Sequence, residues 1–237
     1  MHYAEEASKG NISYLEFLDK LLWAEIEAKR DRATKANMKL AKLPYVKTLD
    51  QFDFEFQPSA NARKMNELKT LGFISRAENV VLLGPPGVGK THLAVGLAVE
   101  AIKNGFTAYF LSAHELIAMI KENIASGRIH RKVKTLCKPG ILVIDEVGYA
   151  SMDNETAHYF FQIVSSRYEK GSIILTSNKS YGEWGDVFGD SIVATAILDR
   201  LLHHSTTINI KGDSYRVKEK KKAGFYDLSR FESTSAD

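Results

Sequence analysis

Eight consecutive residues, Gly84-Pro85-Pro86-Gly87-Val88-Gly89-Lys90-Thr91, have the order G-x-x-x-x-G-K-[ST] of a phosphate cradle. Glycines let successive backbone N–H groups turn inward around an anion, and a helix starting just behind the loop adds its partial positive charge. Lys90 is placed to reach the β- and γ-phosphates of a nucleotide, and the Thr91 hydroxyl to ligate Mg²⁺. His92 belongs to this nucleotide-binding stretch by position, although a packed or surface histidine is the plainer reading. About fifty residues on, ILVIDE (141–146) is an apolar run ending in two carboxylates. Asp145 there is expected to bind Mg²⁺, mostly through water, and Glu146 to orient and polarise an attacking water. That glutamate marks a hydrolase more than a passive binder.

Three further residues are candidates for the same chemistry. IILTSN (173–178) ends another apolar run in polar side chains. Asn178 either reads the γ-phosphate or the water, or is a strand-to-loop turn residue. Arg200 in AILDRLLHH and Arg216 in DSYRVKE could each supply the charge that completes a phosphoryl-transfer site, or be ordinary surface arginines. His203 and His204 have no partner pattern for a metal site, nor do His114, His130 and His158, so no structural metal is expected.

These residues must be positioned by a strand–helix alternation. Apolar strands are read at Asn79–Leu83, Thr107–Leu111, Ile141–Asp145, Ser172–Ser177 and Thr206–Ile210. Helices are read from the glycine loop through about Lys103, from the second strand to Cys137, and over Glu155–Tyr168 and Ile192–His203. Continuous apolar strands alternating with helices imply an α/β fold with a parallel sheet covered on both faces, here a five-stranded P-loop nucleotide-binding core. The 27 residues after Ile210 are too few for the four-helix lid that often follows such cores.

Ahead of the core, Ser13–Leu43 reads as one long helix. Ser13 and Glu16 form a capping box at its start and Pro44 closes its end. Tyr14, Phe17, Leu18, Leu21, Leu22 and Ile26 make an apolar stripe in its front half, while the back half is basic. In YVKTLDQFDFEFQPS (45–59), Phe52, Phe54 and Phe56 alternate with acids at strand spacing. They are expected to pin a connector to the core, with a lining for an adenine pocket as the alternative. The division is therefore 1–59 arm and connector, 60–225 ATPase core, and 226–237 a disordered tail.

The net charge of +3 argues little by itself, but its distribution does more. Basic residues gather over Lys29–Lys47, Lys121–Lys138 and Lys211–Lys222, which in a nucleotide-binding protein favours a polyanionic partner such as nucleic acid over three solvated faces. One cysteine, Cys137, precludes an internal disulfide and fits a reducing cytoplasm, and no apolar run is long enough for a membrane helix.

GPPGVGKTHLA, ILVIDEVGY, IILTSN with EWGDVFGD, AILDRLLHH and the late SYR together resemble the IstB family, helper ATPases of bacterial insertion sequences. That family belongs with the DnaC-type helicase loaders in the AAA+ superfamily. The resemblance covers nearly the whole chain, and EWGDVFGD and ILDRLLHH are its most specific parts. It implies that Asn178 is the sensor-1 residue, that Arg200 is an arginine finger reaching a neighbouring subunit's ATP, and that Arg216 is the sensor-2 arginine. It also implies ATP- and Mg²⁺-dependent homo-oligomerisation on duplex DNA, target remodelling, and recruitment of an IstA-like transposase. One departure from the resemblance is at the start: such proteins usually carry another helical segment before the equivalent of HYAEEA (2–7). Two other functions fit a phosphate loop: a DnaC-type loader acting on a replicative helicase and single strands, and a small-molecule kinase. The Asp-Glu pair and the basic tracts argue against the kinase.

Overall fold

In the computed structural model, residues 10 and 12–222 are described. The expected tail over 226–237 and the first nine residues of the expected arm lie outside them. The apolar runs form five parallel strands: β1 (Asn79–Leu83), β2 (Ala108–Ser112), β3 (Ile141–Val147), β4 (Ser172–Ser177) and β5 (Ser205–Asn209). Their order across the sheet is β2-β3-β4-β1-β5. β2 and β5 sit one residue from the stretches the sequence suggests. β3 runs two residues past Asp145, through the carboxylate pair.

Because side chains alternate across a strand, each strand feeds two cores. Val80 and Leu82 of β1 join Val143 and Ile174 beneath α4 (Lys90–Lys103), whose Leu93 and Leu97 are fully buried. Val81, Leu142, Ile144 and Leu175 face the other way. They pack against α5 (Ala113–Ala125), α6 (Ile129–Leu136), α7 (Asn154–Arg167), α8 (Trp184–Phe188) and α9 (Ser191–His203). All strands being parallel, the C-terminal ends of β1, β3 and β4 emerge on one edge, where the phosphate loop, Asp145-Glu146 and Asn178 follow them. Among the described residues only α10 (Tyr215–Lys222) follows β5, and no separate lid domain occurs.

The arm is one helix, α1 (Tyr14–Leu40), ending three residues before Leu43. Ser13 caps it, its Oγ accepting from the Glu16 N–H at 3.2 Å. The Glu16 carboxylate pairs with Lys20 at 3.1 Å, so the expected capping box is half made. The front half carries exposed apolar side chains, with Tyr14 at 94% and Ile26 at 56% exposure. The far end docks: Met38 packs on the core, Ala41 is buried, and its carbonyl accepts from the Phe110 N–H at 2.8 Å.

The connector is not a strand. Leu49–Gln51 forms a 3₁₀ turn, and Asp53 then folds the chain back, its Oδ1 accepting from the Phe56 N–H at 2.9 Å. A side chain that satisfies nearby backbone donors competes with sheet pairing. The in–out alternation survives without a sheet: Phe52 and Phe54 pack on the core, and Phe56 meets Tyr215 edge-on at 5.5 Å. Short helices α2 (Ala62–Lys69) and α3 (Gly72–Ser75) then lead to β1.

Opposite the site edge, Arg167 is buried and has no carboxylate partner among the described residues. Its guanidinium donates to the carbonyls of Leu136, Pro139, Gly140 and Ser172 at 2.8–3.2 Å, tying the turns that enter β3 and β4. Burial holds its pKa down at about 10. Replacing Arg167 with Leu removes a donor from each of these carbonyls, of which Gly140's keeps the Ser172 N–H, and is expected to cost on the order of 3–5 kcal/mol, read as a lower denaturation midpoint in urea.

Candidate nucleotide-binding site

Gly84 leaves β1 with its N–H donating to the Ser177 carbonyl of β4 at 3.1 Å. Its φ of 147° and that of Gly87, 83°, turn the loop, and neither position has room for a side chain. A Cβ at Gly84 would lie 2.1 Å from the Ile210 carbonyl oxygen, and one at Gly87 would lie 2.1 Å from Ser214 Oγ. The glycines thus serve a second purpose, letting the segment after β5 press onto the cradle. The Tyr215 N–H donates to the Gly87 carbonyl at 3.0 Å, and Ile210 N–H to Leu83 O at 2.8 Å.

Lys90 opens α4 and is 7% exposed. Its Nζ donates to the Gly84 and Pro85 carbonyls at 2.7 and 2.8 Å. Burial lowers its pKa, Asp145 and Glu146 pull the other way, and Arg216 lowers it further. The Thr91 hydroxyl lies 3.0 Å from both oxygens of Asp145. Thr176, buried on β4, donates from Oγ1 to Asp145 Oδ1 at 2.6 Å and accepts the Glu146 N–H at 2.9 Å. Burial drives the Asp145 pKa up, and the hydrogen bonds from Thr176 and Thr91 and the charge of Lys90 offset part of that rise.

Glu146 owes its position to a break in the ladder. The β3–β4 register shifts between Ile144 and Val147, and Glu146 adopts a φ of 62°. The left-handed region costs a non-glycine residue on the order of 1–2 kcal/mol. The break turns an exposed Glu146 outward between buried Asp145 and buried Val147, onto the wall of a cavity of about 380 Å³. The cavity's other walls are the loop and α4 from Pro86 to His92, the connector through Tyr45, Phe52 and Gln57, and α10 through Tyr215 and Arg216. His92 is a packing residue at this wall. Its Nε2 is 2.9 Å from the Thr48 carbonyl, its ring meets Phe52 edge-on at 5.4 Å, and burial lowers its pKa.

The structure therefore brings together the cradle, Lys90, Thr91, His92, Asp145, Glu146 and Arg216. It does not bring Asn178 or Arg200 onto the cavity wall. Asn178 follows β4, close to Gly148, and its buried Oδ1 has no hydrogen-bond partner among the described residues. Arg200 lies on α9, stacked 4.6 Å over the Phe161 ring with Nη1 donating to the Ala196 carbonyl at 3.3 Å. Thr176 was visible in the sequence as a hydroxyl inside the apolar run IILTSN, but its role depends on pairing with β3. Tyr45, Gln57 and Tyr149, the last also on the cavity wall, carry no such signal.

The residues present fit a nucleotide with Mg²⁺. The loop has space for backbone and none for side chains, Lys90 supplies a cation, and Thr91 with Asp145 offers the oxygen donors a hard cation takes. The family model for IstB-like ATP binding proteins matches residues 1–223. The chain is 53% identical over 218 residues to an insertion sequence IS5376 protein of Geobacillus stearothermophilus named for ATP binding, covering 92% of this chain and 87% of that one. It is 50% identical over 220 residues to the corresponding IS21 protein of Pseudomonas aeruginosa, covering 93% and 83%. In fold it is similar to the replication initiator DnaA bound to AMPPCP and single-stranded DNA, with TM-score 0.60, 23% identity, and coverage of 80% of this chain and 56% of that one. It is also similar to the DnaC helicase loader, with TM-score 0.51, 23% identity, and coverage of 72% and 97%. The fold is that of the AAA+ P-loop proteins, and the chain belongs to the IstB-like ATP-binding family.

Proposed function

We propose that this protein is an ATPase that assembles on duplex DNA in the cytoplasm and uses ATP bound between subunits to recruit and stimulate a transposase. The observation that carries this reading is the one-sidedness of the site. Lys90, Thr91, Glu146 and Arg216 line one cavity, with Asp145 hydrogen-bonded behind Thr91, whereas Arg200 lies outside it on α9. An arginine of that kind can complete a site only on a neighbour. The names of the 53% and 50% identical relatives, both insertion-sequence proteins, support the transposition context.

Within one subunit the roles follow from position. The N–H groups of Gly87–Gly89 and the Lys90 ammonium would hold phosphate oxygens, and Thr91 and Asp145 would hold Mg²⁺. ATP with Mg²⁺ supplies a γ-phosphoryl group whose attack by water needs charge stabilisation. Glu146 would orient that water and receive its proton, and Arg216 would add charge from α10; Asn178, off the cavity wall, takes the water or the γ-phosphate only by the family resemblance. The basic faces of α1 and α6, with Lys35, Lys39, Arg131 and Lys134 exposed, are suited to DNA phosphates. The likeness to the DnaC loader keeps a second reading open, in which single strands and a helicase replace duplex and transposase; comparing affinity for the two DNA forms separates them.

Glu146→Gln is expected to slow turnover by ~100-fold or more and to hold ATP-dependent oligomers on duplex DNA, read by light scattering. A variant that stays monomeric with ATP and DNA contradicts the assembly model. Arg200→Ala should abolish hydrolysis while the isolated subunit still binds ATP; equal loss of both removes Arg200 as a trans residue. Asp145→Asn should lose Mg²⁺-dependent nucleotide affinity yet stabilise the nucleotide-free protein at neutral pH. The folded Asp145 pKa is raised, so its contribution is full below the ordinary aspartate value and is lost as pH rises through the folded value. The variant's thermal midpoint should therefore exceed the parent's above that window and approach it in acid.

A further inference from the structure

The histidine pair that ends α9 has a third neighbour that its sequence spacing hides. Glu169 lies 34 positions before His203, but the strand order puts the turn after α7 beside the C-terminus of α9, at the sheet edge opposite the phosphate loop. One donor atom from each of Glu169, His203 and His204 falls within 4.8 Å of the others, and all three side chains are exposed. Two backbone departures build the cluster. Glu169 adopts φ 56°, and His204 leaves the helix at φ −125°, ψ 82°, so that the adjacent histidine rings meet edge-on with centroids 4.1 Å apart.

We propose that Glu169, His203 and His204 form a binding site for an imidazole-preferring divalent metal of the Zn²⁺ class, separate from the Mg²⁺-nucleotide site. The separation of His204 Nε2 from Glu169 Oε1 is 3.7 Å, too long for a hydrogen bond. It is close to the roughly 3.4 Å edge of a tetrahedron whose metal–ligand bonds are about 2.0–2.1 Å. Exposed side chains close the remaining spread by small rotations. Ligating histidines are commonly held through their other ring atoms by an outer partner, and Tyr168 provides one, its hydroxyl 2.8 Å from His203 Nδ1. Two imidazoles with one carboxylate select Zn²⁺-type ions over Mg²⁺, which prefers oxygen donors. Three protein ligands leave a fourth position open. Occupancy would tie the last turn of α9, the helix carrying Arg200, to the turn before β4.

The test is calorimetric titration of chelator-stripped full chain with Zn²⁺ and with Mg²⁺, without nucleotide, so that it stands apart from the ATPase reading. The expected result is a Zn²⁺ equivalent that Mg²⁺ does not displace and that Asp145→Asn leaves intact. It should be lost in His203→Ala/His204→Ala, and weakened about tenfold in Tyr168→Phe. Zn²⁺ should also raise the thermal midpoint of the parent and not of the double variant, whose metal-free midpoint matches the parent's. Unchanged Zn²⁺ affinity in the double variant, or no Zn²⁺ binding by the parent, overturns the assignment.

Discussion

The Asp145 carboxylate is the point through which the site holds together. It is a buried acid, and burial alone would favour its neutral form. Two hydroxyls meet it from different elements, Thr91 from the start of α4 and Thr176 from β4, and Lys90 lies within its field. Thr176 also receives the Glu146 N–H, so one hydroxyl fixes both members of the acidic pair. The phosphate loop, the end of β3 and the middle strand β4 are thereby locked into one geometry. The bulge that follows Asp145 can turn Glu146 out because Asp145 is anchored behind it.

Around that anchor, the cavity is walled by two segments outside the strand–helix repeat. The connector and the chain after β5 meet over the loop. Gln57 Nε2 donates to the Asp213 carbonyl at 2.7 Å, Ser59 exchanges hydrogen bonds with Lys211, and Lys218 sits 3.6 Å over the Phe56 ring. Exposed ion pairs such as Lys218–Asp53 add little, but the backbone bonds and the glycine contacts leave the walls little freedom. The connector is also the root of α1. A nucleotide that fills the cavity therefore touches the segment that sets the direction of the arm.

The sheet was legible because its signal is local: five apolar runs, each ended by a turn or a polar cluster, register as strands whatever they pair with. The phosphate loop and ILVIDE were legible for the same reason. Phe52, Phe54 and Phe56 pin the connector to the core as their alternation implies, but alternation does not say whether a sheet edge is there to pair with, and Asp53 folds the backbone without one. Thr176, Tyr45 and Gln57 became site residues through pairings across more than thirty positions or through the fold of the connector. His203 and His204 were read without a partner because Glu169 reaches them only through the topology.

The central claim is that one subunit's loop and another's Arg200 make a single working site. It is tested most directly by mixing two inactive variants, Lys90→Ala and Arg200→Ala, with duplex DNA and ATP and measuring phosphate release. Where the Arg200→Ala chain lends its intact loop and the Lys90→Ala chain lends its intact arginine, the shared interface has every group. The account expects hydrolysis in the mixture that neither variant shows alone. A mixture as inactive as its components, under conditions where both assemble, contradicts it.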